Sequence, residues 1–282
     1  MTSQRLRRAS GGRRFGKGRL LIALLIAAVS LISYCSSRSY NPVTEETQYV
    51  AISPKQEIAL GLQAAPQMAQ QHGGLYESDE LQSYLDAVCQ RILAESEAGD
   101  TEWPFECHLL ADPDTINAFA LPGGQMFITK ALYDRLETEG QLAGVMAHEM
   151  GHVVARHSAQ RIAKMELTEG LTGAVAVAAY DPDSRTGEGA AAVAAMVGQL
   201  VNMNFGRQDE LESDRLGVEF MAAAGYDPRS MIRVMEILGA ASEGNRPPEF
   251  FSTHPNPENR IARIQEAINE VFPNGVPEGL EE

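Results

Sequence analysis

The run Leu142-Ala143-Gly144-Val145-Met146-Ala147-His148-Glu149-Met150-Gly151-His152-Val153-Val154 decides how the rest of the chain is read. Its apolar residues mark a buried kind of helix. Residues four apart on a helix stand one above the other, so His148 and His152 face one point from a single surface. That is half of a zinc site, in the HExxH spacing this chemistry uses. Glu149 lies one step round the helix from His148, badly placed as a third ligand and well placed as general base for a water at the metal. Without a partner, two imidazoles and a carboxylate among Val145, Met146, Ala147, Val153 and Val154 would be costly to desolvate.

A catalytic zinc needs three protein ligands and one open position, so a third ligand must come from elsewhere. The stretch Arg207-Gln208-Asp209-Glu210-Leu211-Glu212-Ser213-Asp214-Arg215-Leu216-Gly217 places Glu210 and Asp214 four apart on one helical face. Glu210 is expected to bind the metal. Asp214 is expected beside it, either orienting a ligand histidine through its second ring nitrogen or donating a proton to the reaction. Glu212 points to another face and is set aside as a ligand. On its own the stretch would read as a solvated acidic surface; the HExxH gives it a partner. One zinc ion per chain is the cofactor expected.

These residues resemble the gluzincin metallopeptidases that include the HtpX heat-shock protease, the CAAX prenyl protease and BepA-type envelope proteases. The matching positions are His148-Glu149-Met150-Gly151-His152-Val153 with Arg156-His157, then Glu210 with Asp214-Arg215 and Gly217, then Ala224-Gly225-Tyr226-Asp227-Pro228. Upstream, Asn117-Ala118-Phe119-Ala120-Leu121-Pro122-Gly123-Gly124 looks like the segment before the family's edge strand. Thr253-His254-Pro255 with Arg260 resembles its C-terminal motif. Ala131 departs from the pattern, where the family more often has glycine; this touches a turn and leaves the chemistry intact. The resemblance covers residues 41 to about 270 and implies an α+β, mainly α, domain with a small β-sheet beside the active-site helix. It also implies that the strand Gln125–Thr129 lies along the cleft and pairs with an extended substrate backbone.

Charge is unevenly placed. Residues 1–19 carry seven Lys or Arg and no acid, which leaves 16 basic against 38 acidic residues, or −22, for the remainder. An acidic body argues against nucleic-acid binding. After the basic head, Leu20–Ile32 is apolar apart from Ser30, a length suited to a secretory signal and short of the roughly 20 residues of a membrane span. It targets the membrane in either case, with the basic flank in the cytoplasm and the catalytic body outside it, on the periplasmic side of a cell envelope. Ile32-Ser33-Tyr34-Cys35 invites comparison with a lipoprotein site, although Tyr34 stands where a small residue is the rule. Lipidation at Cys35, ordinary cleavage and an uncleaved anchor stay open.

The expected organisation is a basic and hydrophobic segment over 1–38, a polar tether over 39–52, the metallopeptidase domain over 53–272, and a frayed tail over 273–282. Ser53-Pro54 with Glu57 reads as a helix start, as does Ser78 before the stripe Leu81, Leu85, Val88 and Ile92. Trp103–Leu110 and Gln125–Thr129 read as strands, Met231–Leu238 as helix, and Asn256-Pro257-Glu258 as the start of a last helix with Ile261, Ile264 and Ile268 facing inward. Cys89 and Cys107 either pair or serve as buried apolar fillers, the commoner fate of two lone cysteines. His72 and His108 read as structural or exposed. Leu171–Tyr180 and Ala190–Val201 read as a helical hairpin that packs on the core or gates the site within residues 171–201.

Two functions follow for this chain. One is a membrane-tethered zinc endopeptidase that cleaves proteins or peptides, unfolded ones by the resemblance, in envelope quality control. The other is a chaperone-like binding protein whose zinc is mainly structural, although such a site has little use for Glu149. His254 is a candidate regulator. The prolines around it hold it in place, so it either takes the metal's open position as a latch or hydrogen-bonds near the last helix, with Arg260 at the same corner.

Overall fold

The computed structural model describes residues 17–179, 205–242, 248–255 and 259–282. It divides into two compact units, Met1–Ser36 with Lys164–Asn202, and Ser37–Ala163 with Met203–Glu282. The first contains α1 (Lys17–Ser36), and its stretch Gly18–Ser36 has a mean hydropathy of 2.0, long and apolar enough to cross a membrane. The helix therefore extends past the thirteen-residue apolar run at both ends. Ser33 to Ser36 continue it because a helix already formed adds residues easily, while Ser30 and Ser36 turn their hydroxyls onto the carbonyls of Ile26 and Ser33.

The second unit opens with a hairpin, β1 (Arg38–Asn41) and β2 (Glu46–Tyr49), where a loose tether was expected. Helices α2 (Pro54–Gln71) and α3 (Asp79–Glu95) follow. Gln56, one residue before the expected Glu57, accepts the Ser53 backbone N–H at 2.8 Å, because the third helical position after Ser53 is Gln56, while Glu57 turns inward to Arg156; Ser78 Oγ accepts from Leu81 N at 3.3 Å, as its cap position dictates. Strands β3 (Glu106–Leu110), β4 (Ala118–Ala120) and β5 (Gln125–Thr129) make one sheet in the order β3-β5-β4, β3 parallel and β4 antiparallel to β5. Strand β3 starts later than Trp103, past Pro104, which cannot donate to a ladder. Every residue of β5 is buried, which explains its unbroken Met126-Phe127-Ile128.

After the short α4 (Lys130–Tyr133), α5 (Glu139–Val154) starts at Thr138, whose Oγ accepts from Gln141 N. From Gly140 to Val154 every residue is buried. Helix α6 (His157–Ala179) has 23 residues, and its last turns include Leu171 to Ala179, the first stretch of the expected hairpin. Tyr180 and the stretch Ala190–Val201 lie outside the described residues. Helix α7 (Arg207–Ala223) crosses α5 closely because small residues meet there. A Cβ on Gly151 would sit 3.0 Å from Ser213, and one on Gly217 would sit 3.3 Å from His148 N. Helices α8 (Arg229–Ser242), α9 (Phe250–Thr253) and α10 (Arg260–Val271) complete the unit.

Three further expectations change. Helix α10 begins at Arg260 behind Asn259, a left-handed residue at φ 69° that turns the chain; Asn256, Pro257 and Glu258 lie outside the described residues. Its inner face is Ile264, Ala267 and Ile268, while Ile261 is 43% exposed. Cys89 and Cys107 form a disulfide that ties α3 to β3. The tail is held, with Glu281 accepting from Asp227 N at 2.8 Å and donating to Gly225 O at 3.0 Å.

Candidate metal centre

Helix α5 brings His148 and His152 together with their Nε2 atoms 3.1 Å apart. Glu210, fully buried on α7, places Oε2 3.6 Å from His148 Nε2 and Oε1 3.5 Å from His152 Nε2. His254, just past α9, puts Nδ1 3.2 Å from Glu210 Oε1 and 3.4 Å from His148 Nε2. These four residues offer donor atoms that all lie within 4.8 Å of one another. Bonds of about 2.0–2.1 Å to a tetrahedral zinc would separate donors by about 3.3 Å, so the spacing fits that ion.

Burial poses the same demand from another side. Glu149 is wholly buried, and among the described residues neither of its carboxylate oxygens has a hydrogen bond; His254 Nε2 lacks one as well. Orphaned buried polar atoms cost about 1–3 kcal/mol each. A cation with a water at this point would satisfy them, and the nitrogen and carboxylate donor set is one that zinc accepts.

Asp214 lies one turn after Glu210, with Oδ1 2.9 Å from His148 Nδ1. Arg260, from the start of α10, donates to both Asp214 oxygens at 2.7 and 2.8 Å and places Nη1 3.1 Å from Glu210 Oε2. Of the two roles expected for Asp214, only the orienting contact has this geometry. Burial works to raise the Asp214 carboxyl, but the Arg260 charge and the His148 contact outweigh it and hold it below the usual range.

The other groups shift as their surroundings require. Burial pulls His148 down, but Asp214 and Glu210 overcome this and push it up to about 9. Burial and then the charges of His148 and His254 hold His152 well below the usual range. Burial also raises the Glu149 carboxyl against the pull of His254 and His148. For Glu210 the hydrogen bonds from His148 and His254 outweigh burial and lower it.

Sequence reasoning named all six of these histidine and acidic residues, and the fold collects every one. It missed two partners. Arg260 was placed at the His254 corner, yet it braces Asp214 and Glu210. His157 had no role, yet its Nδ1 lies 2.9 Å from His152 Nδ1 and its Nε2 lies 3.0 Å from Glu212 Oε2. The signal available was His157 itself, five residues after His152 and past a turn. Phe205 also stacks on His152, and Phe250 on His254.

The strand expected to pair with substrate is not an edge strand. Strand β5 lies between β3 and β4 and has no free edge; β4 is the outer strand on that side. Ala120 and Leu121 at its end line a small cleft with His152 and Arg156. Phe250 N, at the start of α9, bonds to Ile116 O just before β4.

With this geometry established, comparison with known proteins is decisive. The model of peptidase family M48 matches residues 79–268. The chain belongs to this family. It is 31% identical over 268 residues to the beta-barrel assembly-enhancing protease of Escherichia coli (strain K12), covering 90% of this chain and 53% of that protein. It is 32% identical over 250 residues to the mitochondrial metalloendopeptidase OMA1 of Schizosaccharomyces pombe, covering 85% of this chain and 69% of that one. With OMA1 of Saccharomyces cerevisiae the identity is 27% over 275 residues, with shares of 90% and 76%. The chain thus spans about half the length of the beta-barrel assembly-enhancing proteases it matches. The matched residues include α5, α7 and α10 as far as Ile268, and so every residue of the candidate metal centre.

Proposed function

We propose that this M48 chain is a zinc-dependent metalloendopeptidase tethered to a membrane by α1. The observation that carries the reading is the convergence of His148, His152 and Glu210 beside the buried Glu149 carboxylate, which makes no hydrogen bond among the described residues and lies 3.5 Å from His254 Nε2. Zinc held there supplies Lewis acidity, which acidifies water and polarises a carbonyl. Glu149 takes the proton from the attacking water and returns it to the leaving amine; a carboxyl raised by burial suits both halves of that task. Asp214, kept ionised by Arg260, orients His148. Strand β4 offers an extended substrate its backbone groups. No acyl intermediate is needed.

The setting we propose is a cell envelope, with the catalytic unit outside the cytoplasm and acting on unfolded proteins in quality control. The Cys89–Cys107 disulfide supports an oxidising compartment, and the relative named for β-barrel assembly points to envelope substrates. Cys35 is free and exposed within α1. The mass of the mature N-terminus distinguishes lipidation, cleavage and a retained anchor.

Cleavage of an unfolded substrate by Glu149→Gln tests the mechanism. It is expected to fall about 10²–10⁴-fold with zinc content unchanged. Equal cleavage by a zinc-loaded variant would overturn it.

One observation favours a second reading: His254 closes the donor set to four, as structural zinc sites are closed. In our reading His254 is instead a latch that leaves when substrate enters. His254→Ala separates the two, since a removed latch raises proteolysis with zinc retained, whereas a structural ligand lost costs zinc and fold.

A further inference from the structure

Every zinc-ligating imidazole must present a bare nitrogen to the metal, so something must hold its proton on the other one. For His148 that is Asp214. His152 has no carboxylate at its Nδ1; it has His157 there, at 2.9 Å. We propose that Glu212 and His157 together set the tautomer of His152, as positioning residues acting in series. This rests on the reading above that His152 is a ligand.

The direction of each hydrogen bond follows from what each group can do. An ionised carboxylate only accepts. Glu212 Oε2, 3.0 Å from His157 Nε2, therefore requires hydrogen on that nitrogen. To serve a ligand imidazole as the acceptor on its far side, His157 must be the neutral ring with its one N–H on Nε2 and its lone pair on Nδ1. Two lone pairs cannot face each other at 2.9 Å, so His152 Nδ1 bears the hydrogen. The bare nitrogen of His152 is then Nε2, the atom 3.1 Å from His148 Nε2 and 3.5 Å from Glu210 Oε1. Ser213 Oγ, at 3.3 Å, is a more distant competitor for the His157 lone pair.

The backbone aims His157 at this place. Between α5 and α6 the chain turns on Arg156, a left-handed residue at φ 57°. Its guanidinium donates to Ile52 O at 2.9 Å and pairs with the buried Glu57 carboxylate of α2. A non-glycine residue in this conformation costs about 1–2 kcal/mol, and these contacts hold it there. The turn sets His157 back against His152, one residue into α6.

The test uses the full chain. Histidine ring ¹⁵N spectra of the metal-free protein should show His152 with hydrogen on Nδ1 and none on Nε2. His157→Phe keeps the ring and removes the acceptor, so zinc affinity by competition titration should fall about 10- to 100-fold while the His148 signals stay in place. His157→Asn returns an oxygen near the lost Nδ1 and should recover most of the affinity. Hydrogen on Nε2 of His152 in the wild type would overturn the inference. So would wild-type affinity in a folded His157→Phe protein, and so would an Asn variant no better than Phe. If His157→Phe does not fold, the wild-type spectrum and the Asn variant decide. His152→Ala separates the two layers: retained zinc there defeats the ligand reading itself, whereas lost zinc leaves that reading standing and the tautomer open to the other measurements.

Discussion

His148 and His152 sit one turn apart on the same helix, yet they are braced in different ways. Behind His148 stands an ion pair, Asp214 with Arg260, whose side chains are each 2% exposed. Behind His152 stands another imidazole, His157, and a carboxylate comes only after it, on Glu212 with a side chain 18% exposed. Removing one partner of a buried ion pair strands the other and costs about 3–5 kcal/mol. Breaking the relay strands one N–H, at about 1–3 kcal/mol. One arm is thus rigid and expensive to disturb, and the other reaches the surface at lower cost.

The largest effect should come where the arms meet. Glu210→Gln puts a neutral amide in place of a charged ligand and should lose zinc, while Glu212→Gln should keep zinc nearly unchanged, because an amide oxygen can still accept from His157. Metal analysis of the two purified variants would expose the reverse order and merge the arms. Next in size is stability. By urea unfolding, Arg260→Leu should cost about 3–5 kcal/mol and Glu212→Leu about 1–3 kcal/mol; equal losses would erase the contrast. A smaller effect is expected for Asp214→Asn, with zinc affinity about 10- to 100-fold weaker, and unchanged affinity and activity would remove Asp214 from the site.

The least direct effect is a pH dependence of the metal-free protein. His148, raised to about 9 against an ordinary 6.5, contributes stability that is full below 6.5 and is lost as pH rises through 9. Asp214, depressed below 3.8, contributes stability present above that value and lost as pH falls through its folded pKa. His152 is held neutral and gives no alkaline loss. Unfolding midpoints between pH 6.5 and 9 should therefore decline in the wild type and flatten in His148→Gln, with His152→Gln still declining. A flat wild-type profile would refute the assignment.

Much of the centre was legible because its logic is local. The four-residue spacings of His148 with His152 and of Glu210 with Asp214 are helical facts, and both helices formed where apolar neighbours and caps require. The partners that were missed are set by distance along the chain. Arg260 reaches Asp214 across 46 residues, and Asn41 reaches Val154 across 113. His157 is near His152 in sequence, but only the left-handed Arg156 turns it back, and an arginine does not advertise that conformation. The hairpin at residues 38–49 looked like a tether because its polar side chains have backbone carbonyls as partners, which leave no pattern in sequence. The edge strand was misassigned because strand order depends on β3 lying parallel beside β5.

That hairpin has a mechanical consequence. Asn41 Nδ2 donates to Val154 O at 2.7 Å and Gln48 Nε2 to Ala155 O at 2.9 Å, the carbonyls at the C-terminal end of α5. Only Ser37 separates β1 from α1. A chain with one residue of slack is a short leash, so if α1 is held as we propose, tension on it loads the hairpin first, and two amide hydrogen bonds pass that load to the helix that carries His148 and His152.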